Sequence, residues 1–182
     1  GQPEALGFYL DRGRIHVGDL GMLTDDVFTA WAHDRAHGLD SVMLAPTREL
    51  ASQLNQRAQT HRLTGTTPGA GVPLADGNTA HAGDLLITRS NDRRLRVSAT
   101  DWVKNGDRWT VLAAHPDGSL RVRHARHGRV LTLPAVYVTA STELGYATTI
   151  HGAQGVSADT MHGLATGTES RQQLYTMLTR GR

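Results

Sequence analysis

Two short segments near the C-terminal end of the 182-residue chain combine the residue types that grip phosphate. The first runs Thr148-Thr149-Ile150-His151-Gly152-Ala153-Gln154-Gly155. Thr149 and His151 offer short donors, while Gly152 and Gly155 let a backbone approach a ligand closely. The second runs Leu174-Tyr175-Thr176-Met177-Leu178-Thr179-Arg180-Gly181-Arg182. Its Arg180 has a guanidinium that stays charged and forks onto phosphate oxygens. Phosphoryl transfer asks a protein for positioning and charge stabilisation more than for covalent chemistry, and these side chains supply both.

Composition limits what that chemistry can be. Of the 19 basic residues all but Lys104 are Arg, and no Gly-rich loop runs into Lys104. A P-loop needs Lys directly after its last Gly to reach the β- and γ-phosphates, so this chain holds no complete Walker-type ATPase of its own. The absence of Cys excludes disulfides, thiolate zinc sites and cysteine nucleophiles. No Gly-x-Ser-x-Gly elbow marks a serine hydrolase. His33 and His37 stand at i, i+4, a spacing that can clamp zinc, but no third ligand accompanies them and no metal site is expected. With no apolar run near the roughly 18 residues of a membrane span, a cytoplasmic protein is expected. The start at Gly1-Gln2-Pro3-Glu4 and the end at Thr179-Arg180-Gly181-Arg182 suggest a piece of something longer.

The elements that must position these segments come in two styles. Arg14 to Val17 reads as a strand, and Thr24-Asp25-Asp26 as the cap and acidic first turn of a helix reaching about His37, stopped by Gly38. Ser41 to Ala45 reads as a buried strand, and Thr47 as the cap of a helix whose Leu50, Leu54 and Ala58 share a face. This alternation implies a parallel sheet with packed helices. Residues 67–80 have the Gly, Pro and Thr content of a linker. From Leu85-Leu86-Ile87 the period becomes alternating, with turns at Asn105-Gly106, Asp117-Gly118 and His127-Gly128, as in a small antiparallel barrel. After Glu143 the first style returns, with a strand from Tyr146 to Ile150 and a last helix from about Glu169 to Leu178. Net charge divides the same way: −4 over residues 1–84, +6 over 85–142 and zero over 143–182. The expected organisation is an α/β domain formed by 1–66 and 143–182, a linker at 67–80, and an inserted barrel at 81–142.

Residues 148–155 closely resemble motif V of superfamily 1 helicases, and residues 174–182 resemble their motif VI, in the right order. Pro46-Thr47-Arg48-Glu49-Leu50-Ala51 spells a signature of DEAD-box RNA helicases. That signature follows a P-loop, which is missing here, so the segment fits better as motif IV of a superfamily 1 enzyme. A barrel inserted between motifs IV and V, with Asn105-Gly106-Asp107 at a hairpin and Leu133-Pro134-Ala135 near its end, resembles RecD-type helicases. The run from Phe8-Tyr9 through Gly13-Arg14 to Trp31, with Gly145-Tyr146-Ala147 before motif V, resembles the helicase half of conjugative relaxase–helicases of the TraI, TrwC and TraA kind. Many of those relatives carry Lys or Arg after the motif V His, where this chain has Gly152.

The resemblance implies the second RecA-like domain of such a helicase: a parallel sheet with helices on both faces, interrupted by an SH3-like barrel. It implies ATP and Mg2+ as cofactors, bound mainly by an upstream RecA-like domain carrying the Walker A half, so that this chain alone is expected to be inactive. Arg180 is implied as the catalytic arginine at the γ-phosphate, with Gln154, Gly155 and Arg48 beside the nucleotide. Thr149 and His151 are implied as contacts to single-stranded DNA, and the parent as a 5′–3′ translocase in conjugative transfer, working with upstream RecA-like and relaxase domains. Thr47 and Arg48 have two open readings, a DNA or nucleotide contact, or a helix cap plus a surface Arg. The basic module has two as well. Arg93, Arg94, Arg121 and Arg123, with Arg89, Arg96, Arg126 and Arg129 nearby, can track a phosphate backbone and Trp102 and Trp109 can stack on bases, or the arginines are solvated and the Trp rings are core. A RecD-like exonuclease subunit and a non-enzymatic docking module with vestigial helicase motifs stand as rival readings.

Overall fold

The structure, a computed structural model, describes residues 20–164, which fall into two compact units. The first comprises the described residues up to Leu54, with 148–151 and 157–164; the second comprises 55–147 and 152–156. The strand expected at 14–17, motif VI with Arg180, and the last helix lie outside the described residues.

In the first unit, α1 (Leu20–Ala36) buries Val27, Phe28 and Trp31. The Trp31 indole N–H donates to the Ser41 carbonyl at 3.2 Å, fixing the helix to the strand that follows. The helix begins a turn earlier than the sequence suggests. Thr24 does not cap it: its hydroxyl donates back to the Leu20 carbonyl at 2.6 Å, the pattern of a Thr inside a helix. The end falls where expected, with Gly38 at φ +78. Next come β1 (Ser41–Ala45), buried at all five positions as an apolar run between layers should be, and β12 (Thr160–Gly163), parallel to it with Val42 opposite Met161. On the other side of β1 lies β11 (Ala147–Thr149), giving the order β11-β1-β12.

A polar clasp ties α1 to β12. The Asp34 carboxylate accepts the Thr160 hydroxyl at 2.6 Å and His162 Nε2–H at 2.7 Å. Burial pushes the Asp34 carboxyl up, but the bonds from Thr160 and His162, the charge of His162 and a bond from His33 together hold it below its ordinary value. A carboxyl lowered on folding stabilises fully above its ordinary value of 3.8 and stops doing so as pH falls through the lowered value. Asp34→Asn should therefore lower the melting temperature at pH 7, and the difference from wild type should close in scans taken below pH 3.8.

The helix α2 (Arg48–Leu63) starts in the first unit and belongs to the second from Asn55 on. Thr47 is its N-cap: the Thr47 hydroxyl oxygen accepts the Leu50 N–H at 3.2 Å. The buried face is Ala51, Leu54, Asn55 and Ala58, with Leu50 only half-buried at its edge.

The second unit is built on a five-stranded antiparallel sheet. In chain order its strands are β4 (Leu85–Thr88), β7 (Arg108–Ala114), β8 (Leu120–His124), β9 (Val130–Leu133) and β10 (Thr142–Leu144), in spatial order β10-β4-β7-β8-β9. The turns at Asn105-Gly106, Asp117-Gly118 and His127-Gly128 fall where the sequence puts them, each with its Gly at positive φ. Alternation on β8 sends Leu120, Val122 and His124 inward and Arg121 and Arg123 outward. Trp109, Leu86, Ile87, Leu120 and Leu133 form the core. Among the described residues no pairing joins β9 to β10, so the sheet is open where a closed SH3-like barrel was expected.

Two boundaries also differ from the sequence reading. Residues 67–80, read as linker, contain the hairpin of β2 (Val72–Pro73) and β3 (Thr79–Ala80), with Val72, Leu74 and Ala80 buried. The Asp76 carboxylate fixes it by accepting the Leu144 N–H at 3.0 Å. Residues from 143 were assigned to the α/β part, but β10 pairs with β4, Leu144 opposite Leu86, because Thr142 and Leu144 continue the two-residue alternation inward. A side hairpin of β5 (Asp92–Arg96) and β6 (Trp102–Val103) and a short helix α3 (Ala135–Ser141) complete the unit; the Tyr137 hydroxyl donates to the Ser90 carbonyl at 2.6 Å.

Candidate nucleic-acid interface

The carboxyl ends of the parallel strands gather four of the site residues picked out from the sequence. The Ile150 N–H donates to the Ala45 carbonyl at 3.1 Å, and the Leu164 N–H donates to the Leu44 carbonyl at 2.8 Å. These two bonds bring the chain leaving β11 and the chain leaving β12 to the same end of β1. Thr47 and Arg48 follow β1 there and are exposed; Thr149 and His151 follow β11, half-buried and exposed respectively. In open α/β sheets, ligands bind outside this edge.

Beyond His151 the chain forms a single 3₁₀ turn, His151–Ala153, and then a tight loop. Ala153 and Val156 are buried, and the Val156 N–H donates to the Ala153 carbonyl at 3.0 Å. These two apolar anchors leave Gln154 and Gly155 exposed, with Gly155 at φ +82. That backbone conformation favours Gly.

Behind the loop the second unit supplies polar supports that the sequence reading missed. The Asn55 side chain pairs with the backbone of Ala147 in both directions, accepting its N–H at 2.8 Å and donating to its carbonyl at 2.9 Å. A buried amide thus does the work of a neighbouring strand at the first residue of β11. Asp84, fully buried, accepts from Gln59 at 2.7 Å, the His81 N–H at 2.8 Å, the Tyr146 hydroxyl at 2.6 Å, and Arg62 Nε and Nη2 at 3.0 and 2.8 Å. Burial, reinforced by the Asp84 charge, drives the Tyr146 phenol well above its ordinary pKa and keeps it a donor. Arg89 bridges Glu143 and the Gly152 carbonyl, at 2.9 Å to each. The available signals were an Asn inside an apolar helix face and an Asp directly before a buried strand. Removing the amide leaves two buried backbone groups unpaired, so Asn55→Ala should cost about 1–3 kcal/mol of unfolding free energy, measured by urea denaturation.

The basic residues divide. Arg121 and Arg123 are exposed on the outer face of β8. The Arg93 guanidinium lies 4.9 Å from the Trp102 ring centroid and Lys104 Nζ 5.5 Å from it, so that ring is already faced by cations. Arg94 is forked onto Asp92 at 3.0 and 2.9 Å, though its side chain remains 90% exposed. Trp109 is core: it is 0% exposed, with its indole N–H on the Thr88 hydroxyl oxygen at 3.2 Å, and it stacks on no base. The His33 and His37 rings lie 4.3 Å apart, tilted by 33°, and among the described residues no three His, Asp or Glu side chains are placed to hold a metal ion.

No protein-family model matches the chain. The conjugal transfer protein TraA of Agrobacterium fabrum is 29% identical over 184 residues, an alignment covering 98% of this chain and 16% of that protein. Over almost its whole length the chain is similar to part of the TraA conjugal transfer proteins. The chain spans about a sixth of their length. An uncharacterised protein of Mycobacterium tuberculosis is 31% identical over 90 residues, covering 49% of this chain and 52% of that one. The structure of Bacteroides Pif1 helicase with ADP-AlF3 and ssDNA superposes with a TM-score of 0.60 at 16% identity, covering all of this chain and 47% of Pif1. The fold is that of part of a Pif1-type helicase. Among the described residues no helix is long and apolar enough to cross a membrane.

Proposed function

We propose that this chain is the second RecA-like domain, with its insertion, of an ATP-dependent DNA helicase that works in conjugative transfer. The observation that carries this reading is the convergence of Thr47, Arg48, Thr149 and His151 at the carboxyl end of the parallel sheet, in a chain that aligns almost throughout with TraA. In this reading Thr149 and His151, with Thr47, take single-stranded DNA at that edge. Arg48, Gln154 and Gly155 lie beside the nucleotide, and Arg180 of motif VI stabilises its γ-phosphate. The exposed Arg48 guanidinium and the loop at Gly155 suit an anionic nucleotide; no described cluster suits Mg2+, which is assigned with the Walker A Lys to an upstream domain. Bound ATP supplies the free energy of translocation.

The finer parts of the reading follow the superfamily 1 resemblance: 5′–3′ movement on the transferred strand in the cytoplasm, a RecD-like insertion, and a relaxase domain on the same polypeptide. Arg93, Arg94, Arg121 and Arg123 of the insertion line the DNA path in it. Joining this chain to a P-loop-bearing RecA-like domain tests the reading. ATP hydrolysis stimulated by single-stranded DNA is expected from the joined protein, and none from this chain alone. Hydrolysis by the joined protein that ignores DNA would refute it.

A further inference from the structure

Within the second unit, two independent features of the insertion converge on residues 152–155. Directly after β4, the Arg89 guanidinium donates through Nη1 to the Gly152 carbonyl and through Nε to Glu143, each at 2.9 Å, with its side chain 20% exposed. From the β6–β7 turn, Gly106 packs directly on the same loop. A Cβ placed there would stand 3.2 Å from the Gly155 carbonyl carbon and 3.3 Å from the Gln154 oxygen, and Gly106 itself sits at φ +90. That turn is in turn held by the Asn91 side chain, whose carbonyl accepts the Asn105 N–H at 2.9 Å. One end of the Gly-rich loop is hydrogen-bonded and the other is sterically seated, and both supports come from residues between the two helicase-like halves of the sequence.

We propose that Arg89 and Gly106 are positioning residues through which the insertion sets the shape of the motif V loop, so that DNA engagement there depends on the insertion even where the insertion does not touch DNA. The inference rests on the reading of 148–155 as the DNA-facing segment. Its physical content is that Gly152 and Gly155 bring no side chain to a loop whose apolar anchors are Ala153 and Val156 alone, so the backbone at the two glycines takes its conformation from what surrounds it. Glu143 holds the Arg89 fork in plane by its charge, and the fork can then serve both partners at once.

The test uses Arg89→Gln, Arg89→Lys and Gly106→Ala in this chain, with two readouts. The first is amide exchange at Val156, whose bond to Ala153 closes the loop. All three variants should raise it selectively while exchange in the β7–β8 hairpin stays unchanged. Arg89→Lys should resemble Arg89→Gln, since a single ammonium nitrogen lacks the spaced, planar Nε and Nη1 donors that reach Glu143 and Gly152. The second is affinity for oligo(dT) across a salt series. The Arg89 variants should bind about tenfold more weakly, the equivalent of one charged hydrogen bond, with the slope of log affinity against log salt unchanged. A slope lowered by about 0.7 would make Arg89 a direct phosphate ligand and overturn the proposal. Unchanged exchange at Val156, or full recovery by Arg89→Lys, would overturn it as well. If the wild-type chain binds no oligo(dT), the DNA reading fails by itself, and the exchange data still decide whether the insertion shapes the loop.

Discussion

Arg180→Ala, made in this chain joined to a P-loop-bearing domain, is expected to lower DNA-stimulated ATP hydrolysis by about 10³–10⁵-fold, the range of an arginine finger. The expectation follows from the motif VI resemblance of residues 174–182, since Arg180 lies outside the described residues. In the proposed reading the guanidinium bonds the γ-phosphoryl oxygens most strongly in the transition state, where charge is redistributed as the bond to the leaving group breaks. Its loss should therefore fall on the maximal rate and leave nucleotide-free DNA affinity where it was. Arg180→Lys keeps a charge but loses the planar fork, and most of the rate should stay lost. Hydrolysis that survives Arg180→Ala would favour a docking module whose helicase motifs are vestigial.

Asp84→Ala should be the most damaging single change to stability, at about 3–5 kcal/mol, because it removes the partner of a partly buried guanidinium. The carboxylate is fully buried and is the common acceptor for Gln59, Arg62, His81 and Tyr146, which come from α2, the loop after β3 and the segment before β11. Without it, the Tyr146 hydroxyl and the Gln59 amide also lose an acceptor in a site that admits little water. Replacing Tyr146 by Phe removes the bond donated to Asp84 and the one accepted from Arg62 Nε at 3.0 Å but leaves the ion pair, so its cost should stay at about 1–2 kcal/mol. Denaturant unfolding of the two variants separates a charge-centred hub from a set of equal hydrogen bonds; equal losses would contradict the hub.

What could be read in the sequence was what local chemistry decides. β1 announces itself as five apolar or small residues in a row, α2 by the cap at Thr47, and the β7–β8 hairpin by Asp117-Gly118 between alternating segments. The candidate residues Thr47, Arg48, Thr149 and His151 were chosen by type, and the bond from Ile150 to Ala45 explains why their two distant segments meet. The supports were not legible, because they depend on pairings 92 residues apart for Asn55 and Ala147, and 63 apart for Arg89 and Gly152. Spacing along the chain carries no trace of such contacts. The same limit explains Trp109, whose place on a basic module suggested base stacking, whereas Thr88 and the sheet core hold it. The stretch at 67–80 has linker composition, yet Asp76 pins it through the Leu144 N–H.

The most direct measurement is fluorescence anisotropy of labelled oligo(dT) titrated with this chain across a salt series, with Thr149→Ala and His151→Ala alongside. Saturable binding is expected, with log affinity falling linearly in log salt and both variants binding more weakly. A chain that leaves the oligonucleotide free, or binds it identically with and without Thr149 and His151, would contradict the assignment of the sheet's carboxyl edge to single-stranded DNA.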